Sequence, residues 1–497
     1  MSSLQKPHQP NAAMATDQQR QDAEQLGQFG YNQELHRTMS LFSNFAVTFS
    51  YISVTTGIFA LFALGLGTGG PAFIWSWPIV FFGQLLVGLV FCELGSRYPI
   101  AGSVYSWTKQ VANRDVAWMG GWVYLIALIA TIASVDFVVP PVIAGLLGLD
   151  AKNTAVLIVI ALAVLALTTI INIVGTRVIA FINNIGVIAE FLGMLVLGGI
   201  LLFAHRNHPI TFLSSTGGTE VNGSYVGTFF AAMLMSLFVV YGFDTAGTLA
   251  EETRNPSRAV PRALLLALLG SFVIGGLFLV GAVLAIPADG LAKFMADPSS
   301  LESIISDAIP GLSNVFFIIV ATAITVCGLS VQANATRLLF SMARDREVPG
   351  SKLFSRVHPS LGTPVAAILT TTILSAALIF ATQVEAVLVA VTVVLIYLAY
   401  LICTAATLVA RLRGKFVASG SFSLGGLGLI VNILAVVWGV AMIINLSWYR
   451  PVEGAAGYLN LAIYIFVPLI LVVGLLYYFL VQKPMARRAQ QKDKGAA

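Results

Sequence analysis

The chain has 497 residues, of which 58% are hydrophobic and 10% charged, with a mean hydropathy of +0.88 and a net charge of +5. A soluble domain carries roughly 25% charged residues, so this composition excludes an ordinary soluble protein and points to a bilayer. The three cysteines, Cys92, Cys327 and Cys403, stand in apolar runs at unrelated spacings, which fits neither a disulfide framework nor a metal site.

Residues 1–38 are polar and Gln-rich. They hold no apolar core for a signal peptide and are expected to form a disordered tail. A helix needs about 20 apolar residues to cross a bilayer. Twelve runs meet that need: 41–65, 73–95, 117–146, 154–174, 178–203, 226–250, 262–286, 312–339, 363–381, 385–410, 425–447 and 457–482. The expected architecture is an all-α membrane protein with twelve transmembrane helices over 39–482. A basic tail follows over 483–497.

Orientation follows from lysine and arginine, which accumulate on the cytoplasmic side. With the N-terminus inside, all 27 fall in inside segments except Lys152, Arg206, Lys293 and Arg450. Both termini are therefore expected in the cytoplasm, with the protein multi-pass in the plasma membrane. The positive net charge reflects this topology and implies no nucleic-acid partner. Oligomeric state is left open.

Three acids lie deep inside the spans: Asp136, Glu190 and Asp244. A charge at mid-bilayer costs about 2.5–3.5 kcal/mol even on the lenient insertion scale, and so usually faces a cavity. No lysine or arginine lies deep in a span. The acids are expected to favour a proton, Na⁺ or a substrate amine, and are candidates for ion or proton coupling.

Two spans are interrupted. Span 6 carries Tyr241-Gly242-Phe243-Asp244, and span 1 carries Ser53, Thr55, Thr56 and Gly57 within "SYISVTTGIF". Interruptions at corresponding places in two halves point to a transporter binding site. Unwound backbone is tolerable at that depth only where it lines a cavity. Freed N–H groups at a half-helix N-terminus favour a carboxylate, and freed carbonyls favour a cation. Such a pair of breaks suits a zwitterion.

The stretches "GTGGPAFIWSWPIV", "CELGSRYPIAGSVYSW", "INIVGTRVIAFINNIGV", "GFDTAGTLAEETRNPSRAVPRA" and "RLLFSMARDREVP" resemble the amino acid–polyamine–organocation superfamily of transporters. The branch they resemble carries amino acids, choline and related amines. The resemblance implies an inverted repeat of five plus five helices with broken helices 1 and 6. The repeats would cover about 39–203 and 226–411, with two extra helices over 424–482. By the same resemblance, the backbone of Thr55, Thr56 and Gly57 would hold a substrate carboxylate. Tyr241 and Gly242 would face its amine, with Phe243 beside them. Phe238 would be an aromatic gate, and Asp244 would couple conformation to protonation. Two departures stand out. Thr55 and Thr56 replace the smaller Gly-Ser of many relatives, and Glu190 stands where cationic amino acid relatives have lysine.

The expected function is proton-coupled secondary active transport of an amino acid or related small amine, with no cofactor beyond the coupling ion, a proton or Na⁺. The alternatives are a choline or polyamine carrier, an exchanger, or a nutrient sensor on a transporter scaffold. The chain has no HExxH, Walker or CxxC motif and no nucleophile–base pair, so neither catalytic nor metal-binding residues are assigned. Glu93 is expected to pair with a nearby arginine, and Glu251 and Glu252 to face Arg254 and Arg258.

Overall fold

The computed structural model describes residues 17–380, 385–417, 420–450 and 460–485. Among them the architecture is all-helical, without a named β-strand. The helices are α1 (Asp17–Gly27), α2 (Leu41–Ile52), α3 (Val54–Gly69), α4 (Ser76–Arg97), α5 (Ser103–Val111), α6 (Arg114–Leu146), α7 (Thr154–Val174) and α8 (Thr176–Phe203). Then come α9 (Val226–Ala232), α10 (Leu234–Val239), α11 (Thr245–Thr248), α12 (Pro256–Leu284), α13 (Leu291–Ala296), α14 (Ser300–Ala308) and α15 (Ser313–Arg344). The last are α16 (Ser351–Phe354), α17 (Val365–Ile379), α18 (Glu385–Leu412), α19 (Gly428–Leu446) and α20 (Ala462–Tyr477).

Ten helical stretches among the described residues are long and apolar enough to cross a membrane. Two shorter apolar helices, Val226–Val239 and Val365–Ile379, fall on two further predicted runs. The first is short because the chain leaves the helix at Val240. The bundle centre is built by α6 against α15 and α18, and by α12 against α2, α4 and α8. Large apolar side chains such as Ile170, Phe181 and Val273 point outward. Such a surface suits lipid, because soluble monomers rarely expose large contiguous apolar patches.

The expected disordered tail needs correction over residues 17–38, while 1–16 and 486–497 lie outside the described residues. Residues 17–27 form α1, and the irregular segment after it docks on the end of the bundle. Arg37 donates to the carbonyls of Thr253 at 2.9 Å, Ala250 at 3.3 Å and Asp22 at 3.2 Å. The Asp22 carboxylate accepts the Asn255 N–H at 3.0 Å. The Met39 N–H bonds the Glu252 carbonyl at 2.9 Å, and the Arg254 N–H returns to the Met39 carbonyl at 3.0 Å. A polar segment docks here through long-range hydrogen bonds, which leave no apolar period in the sequence.

The same end holds the ion pairs. Arg337 and Glu252, both fully buried, pair at 3.0 Å, and Arg344 pairs with Glu251 at 2.8 Å. Glu251 and Glu252 therefore face α15 rather than Arg254 and Arg258. Glu93 pairs with Arg411 on α18, an arginine distant in sequence.

Candidate substrate-binding site

The first break is centred on Ser53, two residues before the expected backbone site. Its φ is 31°, a left-handed conformation that costs an L-residue about 1–2 kcal/mol. Its N–H bonds the Phe49 carbonyl at 2.8 Å and closes α2. Its hydroxyl accepts the Thr56 N–H at 3.2 Å and opens α3. One serine thus terminates one half-helix and caps the next, the role for which a short hydroxyl side chain is preferred. Thr55, Thr56 and Gly57 form the first turn of α3, and the Gly57 N–H already bonds the Ser53 carbonyl at 3.1 Å.

Glu190, on α8 and 1% exposed, reaches this turn. Its Oε1 accepts the Ser53 hydroxyl at 3.0 Å and the Thr55 N–H at 3.1 Å. The Thr56 hydroxyl lies 2.7 Å from that of Ser53. A carboxylate of the chain itself therefore sits where the α3 dipole and its unpaired N–H groups favour an anion.

The second break spans Val240 to Asp244, between α10 and α11. Gly242 has φ 86°, and a Cβ there would lie 2.2 Å from the Tyr51 ring. Only glycine fits both the angle and the close approach. The Gly242 N–H donates to the Tyr400 hydroxyl at 2.9 Å, and its carbonyl accepts the Thr245 N–H at 3.1 Å. One of the two carbonyls expected to face an amine thus already has a backbone partner.

Asp244 is fully buried inside a hydroxyl cage. It accepts from Ser103 at 2.5 Å, from Tyr124 at 2.6 and 2.7 Å, and from Tyr400 at 2.5 Å. Asn334 in turn donates to Tyr124 at 3.2 Å, and Thr248 to Ser103 at 2.8 Å. The sequence reading missed Ser103, Tyr124 and Tyr400. Their signal was a tyrosine hydroxyl in mid-span, which needs a partner when buried.

Between the breaks lies a cavity of about 10 Å³, lined by Tyr51, Thr56, Gly57, Phe238, Tyr241, Thr131, Val135, and Cys327. It has room for about one water and none for a substrate. Phe238 stands edge-on to Tyr241, with ring centres 5.8 Å apart, and Tyr241 stands edge-on to Tyr51 at 6.2 Å. Larger openings lie elsewhere, one beside Lys109 and Glu347 and one beside Thr228 and Trp448. Neither is lined by a residue of the breaks.

Of the predicted residues, the cavity gathers Thr56, Gly57, Phe238 and Tyr241. Thr55 and Glu190 stand behind the first break. Asp244 lies in its cage, and Phe243 packs on Phe91 at 5.9 Å and Tyr400 at 5.2 Å. Asp136 is buried on α6, next to Val135, and its Oδ2 has no hydrogen-bond partner among the described residues.

The family model described as amino acid permease matches residues 39–475. The amino-acid permease BAT1 of Arabidopsis thaliana is 28% identical over 461 residues, covering 85% of this chain and 87% of the relative. A putative amino acid/polyamine transporter of Macrophomina phaseolina is 25% identical, covering 78% and 89%. The branched-chain amino acid permease BcaP of Bacillus subtilis is 26% identical, covering 63% and 68%. The permease model thus takes in both interrupted helices and the cavity between them, and the chain belongs to the amino acid permease family of the amino acid–polyamine–organocation superfamily, a family of membrane transporters and not of enzymes.

Proposed function

We propose that the chain is a proton-coupled secondary transporter for an amino acid or related small amine in the plasma membrane. It crosses the bilayer twelve times with both termini in the cytoplasm. A five-plus-five inverted repeat forms the core, and two further helices follow it. The observation that carries this reading is the pair of broken helices meeting across one small cavity, with a carboxylate on the half-helix N-terminus at the first break. Phe238 and Tyr241 gate the cavity on one side, and the ion pairs of Glu251 and Glu252 with α15 latch the other. Substrate alternates access by opening one at a time. A proton on Glu190 biases the two states provided that its affinity differs between them.

The test is uptake by the purified protein in liposomes under an imposed proton or sodium gradient, across amino acids, amines and polyamines. Accumulation driven by a proton gradient without sodium is expected. Accumulation that requires sodium removes proton coupling. Binding without flux makes the protein a sensor.

A second reading, a carrier of organic cations such as choline or a polyamine, is favoured by one observation. The α3 donors that would hold a substrate carboxylate are engaged by Glu190 and Ser53. Inhibition of uptake by a decarboxylated analogue, and not by the parent amino acid, would select it.

A further inference from the structure

Glu190 and Asp244 direct their carboxylates to hydroxyl and N–H groups of the chain. Asp136 does not. It is 1% exposed, and Oδ2 is the sole carboxylate oxygen among the buried, unpartnered side-chain atoms of the described residues. The helices packed on α6 include α5, α7, α15, α17 and α18, and they offer it no free cation. Lys109 on α5 pairs with Asp345, Arg337 and Arg344 on α15 with Glu252 and Glu251, and Arg411 on α18 with Glu93. Helices α7 and α17 contain no lysine or arginine. A buried, unpaired carboxylate is costly, and a cation relieves that cost.

Its position says which cation. Thr131 and Val135, on the same helix, line the central cavity, as does Cys327 on α15. Asp136 follows Val135, and Gly328 follows Cys327. These two residues face each other, for a Cβ on Gly328 would lie 3.4 Å from Asp136 Oδ1 and 3.7 Å from Val135. The acid is therefore one residue removed from the cavity lining, opposite a residue without a side chain.

Resting on the transporter reading above, we propose that Asp136 is a specificity-determining residue that pairs with a second ammonium group on the substrate. The substrate class is then a basic amino acid or a diamine, with one amine held between the breaks and the other at Asp136.

Lysine and norleucine test this, since the two differ by the terminal ammonium on a chain of nearly equal length. Competition against uptake in liposomes is expected to favour lysine by at least about tenfold, the range for a buried charge pair. Asp136→Asn should lower the lysine-to-norleucine affinity ratio by at least about tenfold, a readout that a general loss of transport would not move. Gly328→Ala, which sets a methyl group against the carboxylate, should weaken lysine more than norleucine, and it serves where Asp136→Asn fails to fold. Norleucine flux without a lysine preference, or a preference that survives Asp136→Asn, overturns the assignment and leaves the transporter reading standing. Failure of every amino acid and amine to bind or move overturns both.

Discussion

The Glu190 carboxylate accepts the Thr55 N–H at 3.1 Å, so α3 begins on an anion supplied by α8. This contact ties the unwound part of one helix to the middle of another. Anything that changes the charge of Glu190 changes how strongly the two are held.

Glu190→Gln keeps an oxygen acceptor and removes the charge. A hydrogen bond to a charged group contributes about 1.5–3 kcal/mol, against about 1 for a neutral pair, so the tie should weaken without being lost. The variant is expected to fold and to retain substrate counterflow, but to lose accumulation driven by a proton gradient. Accumulation at the wild-type level in liposomes would leave Glu190 as a capping residue alone.

Gly242→Ala adds one methyl group to a residue at φ 86°, 2.2 Å from the Tyr51 ring. Left-handed strain costs about 1–2 kcal/mol, and overpacking typically costs a further 1–3. Both fall on the segment proposed to rearrange as substrate enters. Uptake should drop by more than about tenfold, since each 1.4 kcal/mol is a factor of ten. Surface expression, followed separately, should stay near normal. Unimpaired uptake would reduce the break to a passive kink.

Hydropathy made the spans legible, because a bilayer demands long apolar runs and tolerates few charges within them. The two interruptions were legible for the same reason, as small and polar residues in otherwise apolar stretches. The first break centres on Ser53, one of the four small or polar residues that interrupt span 1, which caps both half-helices with its own N–H and hydroxyl. The hydroxyl cage of Asp244 was hidden, since Ser103, Tyr124, Asp244 and Tyr400 come from four distant segments. The docking of residues 17–39 was hidden too, because it rests on single long-range contacts such as Arg37 to Thr253.

Asp244→Asn replaces an acceptor with an amide that also donates. The three hydroxyls around it donate inward, so the new N–H₂ faces donors and at least one hydroxyl loses its acceptor. A lost partner in the interior costs about 1–3 kcal/mol, more when a charge is involved. Tyr400→Phe removes one spoke of the cage together with the acceptor of the Gly242 N–H. Both variants should lower uptake. Asp244→Asn should have the larger effect, and the double variant should cost less than the sum of the singles because the two share one network. Additive losses would show that Asp244 and Tyr400 act separately.

Arg337 and Glu252 set the last expectation. Both are fully buried at the arginine-rich end, and Glu252 also accepts the Thr176 hydroxyl at 2.5 Å. Arg337→Met leaves the glutamate without its cation, which for a buried pair costs about 3–5 kcal/mol. Replacing both partners with neutral residues of similar size is often close to neutral. Thermal unfolding of the purified protein should therefore show a clear fall for Arg337→Met and recovery of most of it in Arg337→Met/Glu252→Gln. If the pair also latches the closed form, the recovered double variant will fold well and still release trapped substrate faster than wild type. Equal release rates at equal stability would make the pair structural, and the latch would then rest on Glu251 and Arg344.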